Sequence, residues 1–438
     1  MKRLLFSLSL LILYVAVPAQ QLRLQDAVSI ALKNSLDIQV VKNNLAINDV
    51  SNSFGFAGGL PVVTATGSDN EQSVNIKQKI SQKVNGADTS YNIIRNGATS
   101  NQLNGSAGGS ILLFNGLRVR ATKKRLEELV KQSQEYVNAQ IQNVIASVMT
   151  SYYDIIRQQG YIKTIKQSIA VSHQKLEIVK AQQSVGLANN ADLFQAQLDL
   201  NNLIQSRESQ QLVIDQAKTG LLTLLTLKPD SVITISDTIL VDKSVVLGTI
   251  LDNLSTNPDI IAADDQIRIN RLIEKETAAQ RYPTVRGTAG YNYSRNQASA
   301  GQVLLNQQYG PIAGFNFVIP IYNGSIYKRQ QKIAGINTAN AALQKDITVR
   351  NYASDAVKTY EAYASSLLQL ETAQKNVELA QKLLDLVLQR FQLRQNTIVD
   401  VTIAQQSFET ASFSFMNLSY ASKSSEIELK RLISKLTR

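Results

Sequence analysis

The chain of 438 residues contains no cysteine and a single histidine, His173. Without cysteine there is no disulfide framework and no thiol chemistry. One histidine supplies no histidine cluster for a metal. His173 sits in a polar stretch and reads as an exposed bystander. No nucleophile–base pair or metal constellation is visible, so an enzyme is the weakest functional class. Long apolar runs are also missing. Past the N-terminus no segment holds about eighteen consecutive apolar residues, which argues against a helical inner-membrane protein. If the mature chain crosses a membrane, it must do so as a closed β-barrel, the remaining way to satisfy every backbone group in lipid.

What the N-terminus does have is an export pattern. Lys2 and Arg3 precede an apolar run over 4–17 broken only by Ser7 and Ser9, and Val17-Pro18-Ala19 offers small residues for cleavage before Gln20. This predicts a signal peptide over 1–19, because about fourteen apolar residues are short for a membrane span. The segment has no cysteine for lipid attachment, so a lipoprotein is not expected. The formal net charge is +11. Its Lys and Arg are scattered along helical stretches and do not cluster with aromatics, so they read as solvated helix faces, and no nucleic-acid partner is expected. Gly105-x-x-Gly108-Gly109 lacks the lysine and helix start of a phosphate loop and fits a strand of small residues.

The chain repeats itself. Leu32, Asp37 and Ile38 recur as Leu254, Asp259 and Ile260, and at the same offset Pro61 falls on Pro283 and Val63 on Val285. At a second offset Leu113-Phe114-Asn115-Gly116 matches Ile321-Tyr322-Asn323-Gly324, Asp192 falls on Asp400, and Ala196-Gln197 on Ala404-Gln405. Two repeats follow, 20–230 and 231–438, each with a first helix, a strand pair and long helices, the second opening on a mixed linker.

The first helices carry apolar residues at helical spacing: Ala27, Ile30, Ala31, Ile38, Val41 and Leu45, then Ile260, Ile261, Ile267, Ile269 and Ile273. Pro61 and Pro283 are expected to end them. Strands are clearest at 285–294 and 313–321. There Val285, Ala289, Tyr291 and Tyr293 alternate with polar residues, and Ala313, Phe315, Phe317, Ile319 and Ile321 share a face. Such a strand suits a barrel wall between lipid and water, and equally a half-buried strand of a soluble sheet; periodicity alone does not choose. Weaker strands are expected at 60–66 and 107–114. Between them the polar stretch 68–104 reads as an extended surface loop, with a local hairpin around 74–80; the second loop, 296–308, is shorter. From 117 to 185 there is no proline and one internal glycine, Gly160; a helix there reaches about 100 Å. Its copy, 325–394, has a seam of period near 3.5 at Tyr360, Tyr363, Leu367, Leu370, Val377, Leu384, Leu388 and Phe391, interrupted by Gln374 and Gln381.

Pro320-Ile321-Tyr322-Asn323-Gly324 at a strand end, Thr397-Ile398-Val399-Asp400-Val401 at a helix turn, and the entries Leu60-Pro61 and Tyr282-Pro283 together resemble the TolC-like outer-membrane efflux proteins. The resemblance covers nearly the whole mature chain. It implies a mainly α fold with a β-barrel: four strands per chain in a twelve-stranded barrel shared by a homotrimer, continuous with a barrel of long coiled-coil helices. Val232-Ile233-Thr234-Ile235 lies where a strand of the family's small mixed region would fall. The function implied is an outer-membrane channel of a tripartite efflux or secretion system. Its setting is the bacterial outer membrane and its lipid, with a long periplasmic helical portion. Its implied partners are a periplasmic adaptor and an inner-membrane RND, ABC or MFS transporter that supplies the energy; no cofactor is expected. The alternative is a non-channel periplasmic or surface coiled-coil interaction protein, against which the duplicated strand pairs argue.

The helix breaks, Gly186-Leu187-Ala188-Asn189-Asn190-Ala191-Asp192 and Arg394-Gln395-Asn396-Thr397-Ile398-Val399-Asp400, each end on an aspartate able to cap the next helix. For Asp400 the resemblance implies more. The matching aspartate lines the constriction at the family's periplasmic tip. Three copies would form a carboxylate ring that attracts cations and whose mutual repulsion raises its pKa. The best-known members carry a second ring carboxylate where this chain has Ile403. Where it has Phe391 and Asn396, they have a tyrosine and an arginine that lock the tip. The gate's position carries over and its lock does not; Arg394 stands near enough to substitute, towards Asp192. An adaptor would dock near 184–194 and 392–402.

Overall fold

The computed structural model describes residues 20–436; the expected signal segment 1–19 lies outside them. In chain order the first elements are β1 (Gln20–Gln21), α1 (Leu24–Asn34), α2 (Leu36–Ser51), β2 (Val62–Val84), β3 (Ala87–Phe114), α3 (Arg118–Ser184) and α4 (Asn190–Leu224). Then come β4 (Ile233–Thr234), α5 (Leu247–Asn253), α6 (Pro258–Ala279), β5 (Thr284–Ala298), β6 (Leu305–Val318), α7 (Ile326–Gln392) and α8 (Ile398–Leu432). No described helix is long and apolar enough to cross a membrane. Two compact units result. One takes the chain up to 43, 135–261 and 346 onward; the other takes 44–134 and 262–345. Each unit therefore draws on both sequence halves.

The long helices carry the duplication most plainly. Both α3 and α7 have 67 residues, both α4 and α8 have 35, and every boundary in the second copy is displaced by the same amount. The α7 seam is buried at Tyr363, Leu384 and Phe391, and where Gln374 and Gln381 interrupt it the adjacent Ala373 and Ala380 take the inward positions.

In the unit of helix ends and linkers, Tyr152 of α3 is fully buried among Ile145, Val148, Ile155, Ala27, Ile38, Leu221 and Ile233. Its hydroxyl donates to Leu22 O at 2.9 Å and also contacts the Asp237 carboxylate. That anchors the start of the described chain, where β1 pairs in parallel with β4. The first helix is not continuous. It breaks at Ser35, whose Oγ accepts from Ile38 N at 3.3 Å and caps α2.

The other unit is built on one antiparallel sheet in the order β2-β3-β5-β6. Leu305, Tyr309, Phe315 and Phe317 of β6 share one face with Val285, Tyr291 and Tyr293 of β5, while Asn306, Gln308 and Asn316 share the other with Arg286, Asn292 and Ser294. Exposed aromatics on the first face, Phe315 at 70% and Tyr309 at 69%, are what a lipid-facing wall presents.

Three expectations need correction here. The stretch 68–104 is not a loop: β2 and β3 run through it as one hairpin closed at Asn85-Gly86, with φ of 50° and 87°. Those angles are those of the two-residue turn that Asn-Gly favours. Beyond Ser100, where β5 pairing ends, the ribbon has no further strand beside it, so no one-sided apolar pattern marks it as strand. The strand expected to reach 321 stops at Val318, ahead of Pro320, which has no N–H for a ladder; the loop before it shrinks to 299–304. Finally, the prolines do not end the helices. α2 ends at Ser51, followed by a turn in which Ser53 Oγ accepts from Phe56 N, and Pro61 and Pro283 stand directly before β2 and β5.

The strand-to-helix corners use the repeated Asn-Gly. Gly116 and Leu117 have φ of 69° and 66°, Gly324 and Ser325 have 66° and 61°. A side chain at Gly116 would meet Tyr282 Cβ at 2.7 Å and Ala279 O at 2.8 Å, whereas nothing lies within 4 Å at Gly324. Gly324→Ala should therefore cost only the left-handed backbone penalty, about 1–2 kcal/mol, and Gly116→Ala about 2–5 kcal/mol once overpacking is added. Thermal unfolding midpoints in detergent measure the difference; equal shifts would refute the crowding at Gly116.

Candidate functional site

The tip turns are two copies of one construction. At the end of α3, Leu187 N donates to Gln182 O at 2.8 Å and Gly186 N to Gln183 O at 2.9 Å. At the end of α7, Gln395 N donates to Arg390 O at 2.8 Å and Arg394 N to Phe391 O at 3.1 Å. Both are the paired bonds of a helix that stops on a left-handed residue. Gly186 takes that conformation at φ 71°, Arg394 at φ 64°. The second turn thus holds an arginine where the first holds glycine, against a steric preference of about 1–2 kcal/mol.

Each turn then starts a helix with a reciprocal cap. Asn189 Oδ1 accepts from Asp192 N at 2.8 Å while Asn189 N reaches Asp192 Oδ2 at 3.4 Å. Thr397 Oγ1 accepts from Asp400 N at 3.2 Å, and Thr397 N donates to Asp400 Oδ2 at 2.7 Å. Such boxes satisfy two orphan donors at once. Asp400 Oδ2 also accepts from Asn396 Nδ2 at 3.3 Å. Within one chain these bonds, led by the Thr397 backbone N–H, hold the Asp400 carboxyl below the usual carboxylate range. The upward push expected of a ring acts between chains and in the opposite direction.

The remaining tip residues separate by environment. Phe391 is buried at 4% among Leu176, Val179, Ala196, Leu200 and Val401, so its ring packs where α3, α4, α7 and α8 meet. Val399 and Ile403 are more than half exposed on α8, either side of Asp400. Arg394 is exposed, and among the described residues it has no hydrogen-bonded or ionic side-chain partner; Asp192 is engaged by Asn189 instead. His173 is exposed on α3.

One group escaped sequence reasoning. Lys175 of α3 is fully buried, and its Nζ lies 2.5 Å from Asp199 Oδ2 of α4 and 3.1 Å from Thr402 Oγ1 of α8. Thr402 is two residues from Asp400. The available signal was positional: Ser168, Ser172, Lys175 and Val179 stand at seam spacing on α3, and all four are buried.

Residues 27–226 and 250–435 match the family described as outer membrane efflux protein. The chain belongs to the outer membrane efflux protein family. Among solved structures this efflux protein is similar to the CusC channel, at 17% identity with a TM-score of 0.76 over 95% of this chain and 92% of that one. It is also similar to VceC of Vibrio cholerae, at 17% identity and TM-score 0.73 over 94% and 96% of the two chains. The Campylobacter jejuni CmeC outer membrane channel gives 16% identity and TM-score 0.75 over 95% and 87%. At these identities the likeness is one of fold, and it is the TolC-like channel fold that the motifs implied. Family and fold together make the efflux protein an outer-membrane channel component and not an enzyme, and the non-channel coiled-coil alternative falls away.

Because Arg394 occupies a glycine position and its side chain has no partner among the described residues, Arg394→Gly is expected to stabilise the turn by about 1 kcal/mol. Amide exchange at Gln395, which bonds back to Arg390, should slow accordingly. Faster exchange in the variant would show that the side chain contributes contacts that outweigh the backbone strain.

Proposed function

We infer that three copies of this chain form one duct, closed at its periplasmic tip by a ring of Asp400 carboxylates and opened when a periplasmic adaptor and an inner-membrane RND, ABC or MFS transporter engage it. The observation that carries this reading is the sheet. Its four strands leave one edge of β2 and one edge of β6 unpaired, and its apolar face is exposed. Unpaired edges are untenable in lipid. Four strands are too few to close on themselves. Because β2 and β6 run antiparallel to one another, the β6 of one copy can continue the sheet into the β2 of the next, a head-to-tail contact that closes into a ring. The two repeats, 20–230 and 231–438, then supply two similar staves per chain.

For the gate, the supporting geometry is the pinned carboxylate. Asp400 is held by three donors, so each copy would present its charge at a fixed place. Ile403, one turn on, would add an apolar ring in place of a second charged one. A resting duct must be sealed, since a permanently open one would leak across the outer membrane; the energy to open it comes from the partner pump.

Extraction from outer membranes in mild detergent, followed by light scattering corrected for detergent, should give a particle of three chain masses, and a soluble monomer or dimer would overturn the shared barrel. In planar bilayers Asp400→Asn should weaken cation preference without disturbing assembly. The reversal potential in a salt gradient reports this, and an unchanged value would remove Asp400 from the selectivity ring.

A further inference from the structure

With Phe391 and Asn396 unable to form the family's hydroxyl and guanidinium links, the tip needs another fastening. We propose that Lys175 is that fastening: a positioning residue that ties the start of α8, and with it Asp400, to the α3–α4 hairpin in the resting channel. The proposal rests on the gate reading above and deepens it.

The geometry is specific. Lys175 lies nine residues before the end of α3, about 14 Å beneath the turn. Its ammonium is bonded to the Asp199 carboxylate on α4 and to the Thr402 hydroxyl on α8, and Thr402 Oγ1 itself lies 3.4 Å from Asp199 Oδ2. One buried cation therefore joins three helices. Among the described residues it is the only ion pair on α3 between 160 and 184 that also reaches α8. The neighbouring contacts are of another kind. Ser172 donates to Gln405 at 3.2 Å, Ser168 Oγ has no partner, and Gly160 is approached by the flexible Met416 side chain. Neutral contacts of this kind hold less strongly than a charged one. The charged tie differs. Moving α8 away strips a buried ammonium of its hydroxyl ligand and leaves the cation and Asp199 to share a poorer site. Such a contact resists small displacements and then gives way, which is the behaviour a latch needs.

Val401 and Thr402 point the same way. Val401 is fully buried in the tip core, Thr402 holds the tie, and Asp400 and Ile403 flank them on the accessible side. The latch thus sets which face of α8 the gate presents.

The test uses the full-length channel in planar bilayers with Lys175→Met, which keeps the stem and removes the charge, and Asp199→Asn, which keeps the volume. Lys180→Met, at an exposed pair with Glu177 on the same helix, is the control. Loss of a charged hydrogen bond should shift the closed-to-open ratio roughly tenfold, seen as higher resting conductance and as leak of large antibiotics into cells. Lys180→Met should match the parent. Thermal stability separates a latch from a mere strut: the double variant Lys175→Met with Asp199→Leu, which removes both charges, should open the channel while its melting midpoint stays level or rises, since an apolar replacement of a whole buried pair is often tolerated, whereas removing one partner alone is destabilising. Parental conductance in an assembled Lys175→Met channel overturns the proposal, whatever Asp400→Asn does to selectivity, which reports the gate reading separately. If Lys175→Met does not assemble, parental conductance in Asp199→Asn overturns it equally.

Discussion

Everything in the sheet-bearing unit depends on one constraint: a backbone N–H or C=O that meets lipid must already be bonded. The pairing from Val62↔Ser110 through Thr284↔Val318 satisfies the inner ladders of β2, β3, β5 and β6. The outer edges of β2 and β6 remain. A soluble protein would blunt them with bulges, charges or cover. Here the strand along one edge runs for 23 residues with one register shift, between Val74 and Ile76, and Phe315 and Phe317 along the other face outward, so water is not the medium that answers them. The edges and the apolar face together demand both lipid and further copies of the chain. The proposed oligomer thus rests on hydrogen-bond arithmetic before it rests on family.

The same sequence device builds both ends of each long helix twice. Asn-Gly with consecutive left-handed residues turns strand into helix, and a left-handed stop followed by a reciprocal cap turns helix into helix. Because these corners depend on a few local residues, they were legible: α3 and α7 begin and end within two residues of where proline-free, glycine-poor stretches predict. What was not legible lies where the environment supplies no contrast. The polar ribbon beyond Ser100 buries only Ile80 and Ala98 among its described residues, so its period of two carries almost no hydrophobic signal, and the local hairpin read around 74–80 fell short of its real extent. The first helix was read as continuous because Ser35 interrupts it with a cap and not with a proline.

The candidate site divides along the same line. Asp192 and Asp400 were readable as capping residues because an aspartate after a helix break is a local pattern that occurs twice at one displacement, though the N-caps themselves are Asn189 and Thr397, with the aspartates at the third helical position. The tie at Lys175 joins residues 24 and 227 positions away, so no local window contains it. Its three members look like ordinary solvated polar residues until the helices come together. Phe391 is an intermediate case. Its place in a 3.5-residue seam foretold burial, but only the structure puts it against Leu176 and Val401.

A channel that must stay shut alone and open on demand needs contacts at its tip that hold without interlocking too deeply. An apolar core such as the one around Phe391 is poorly suited to be the sole restraint, since its energy falls off smoothly with exposed area and it re-forms in many nearby arrangements. A charge in a dry interior behaves otherwise: it has few acceptable positions, and departure from them is costly at once. Placing that charge nine residues beneath the turn keeps it out of the permeation path, where a cationic lock would oppose the carboxylate ring and meet each passing substrate. Exposed Arg394 has no such seclusion and, among the described residues, no side-chain partner, so position, more than charge, favours Lys175 as the proposed restraint. On the proposed reading the gate would have two separable parts, with Asp400 and Ile403 facing what passes and Lys175, Asp199 and Thr402 deciding where they stand.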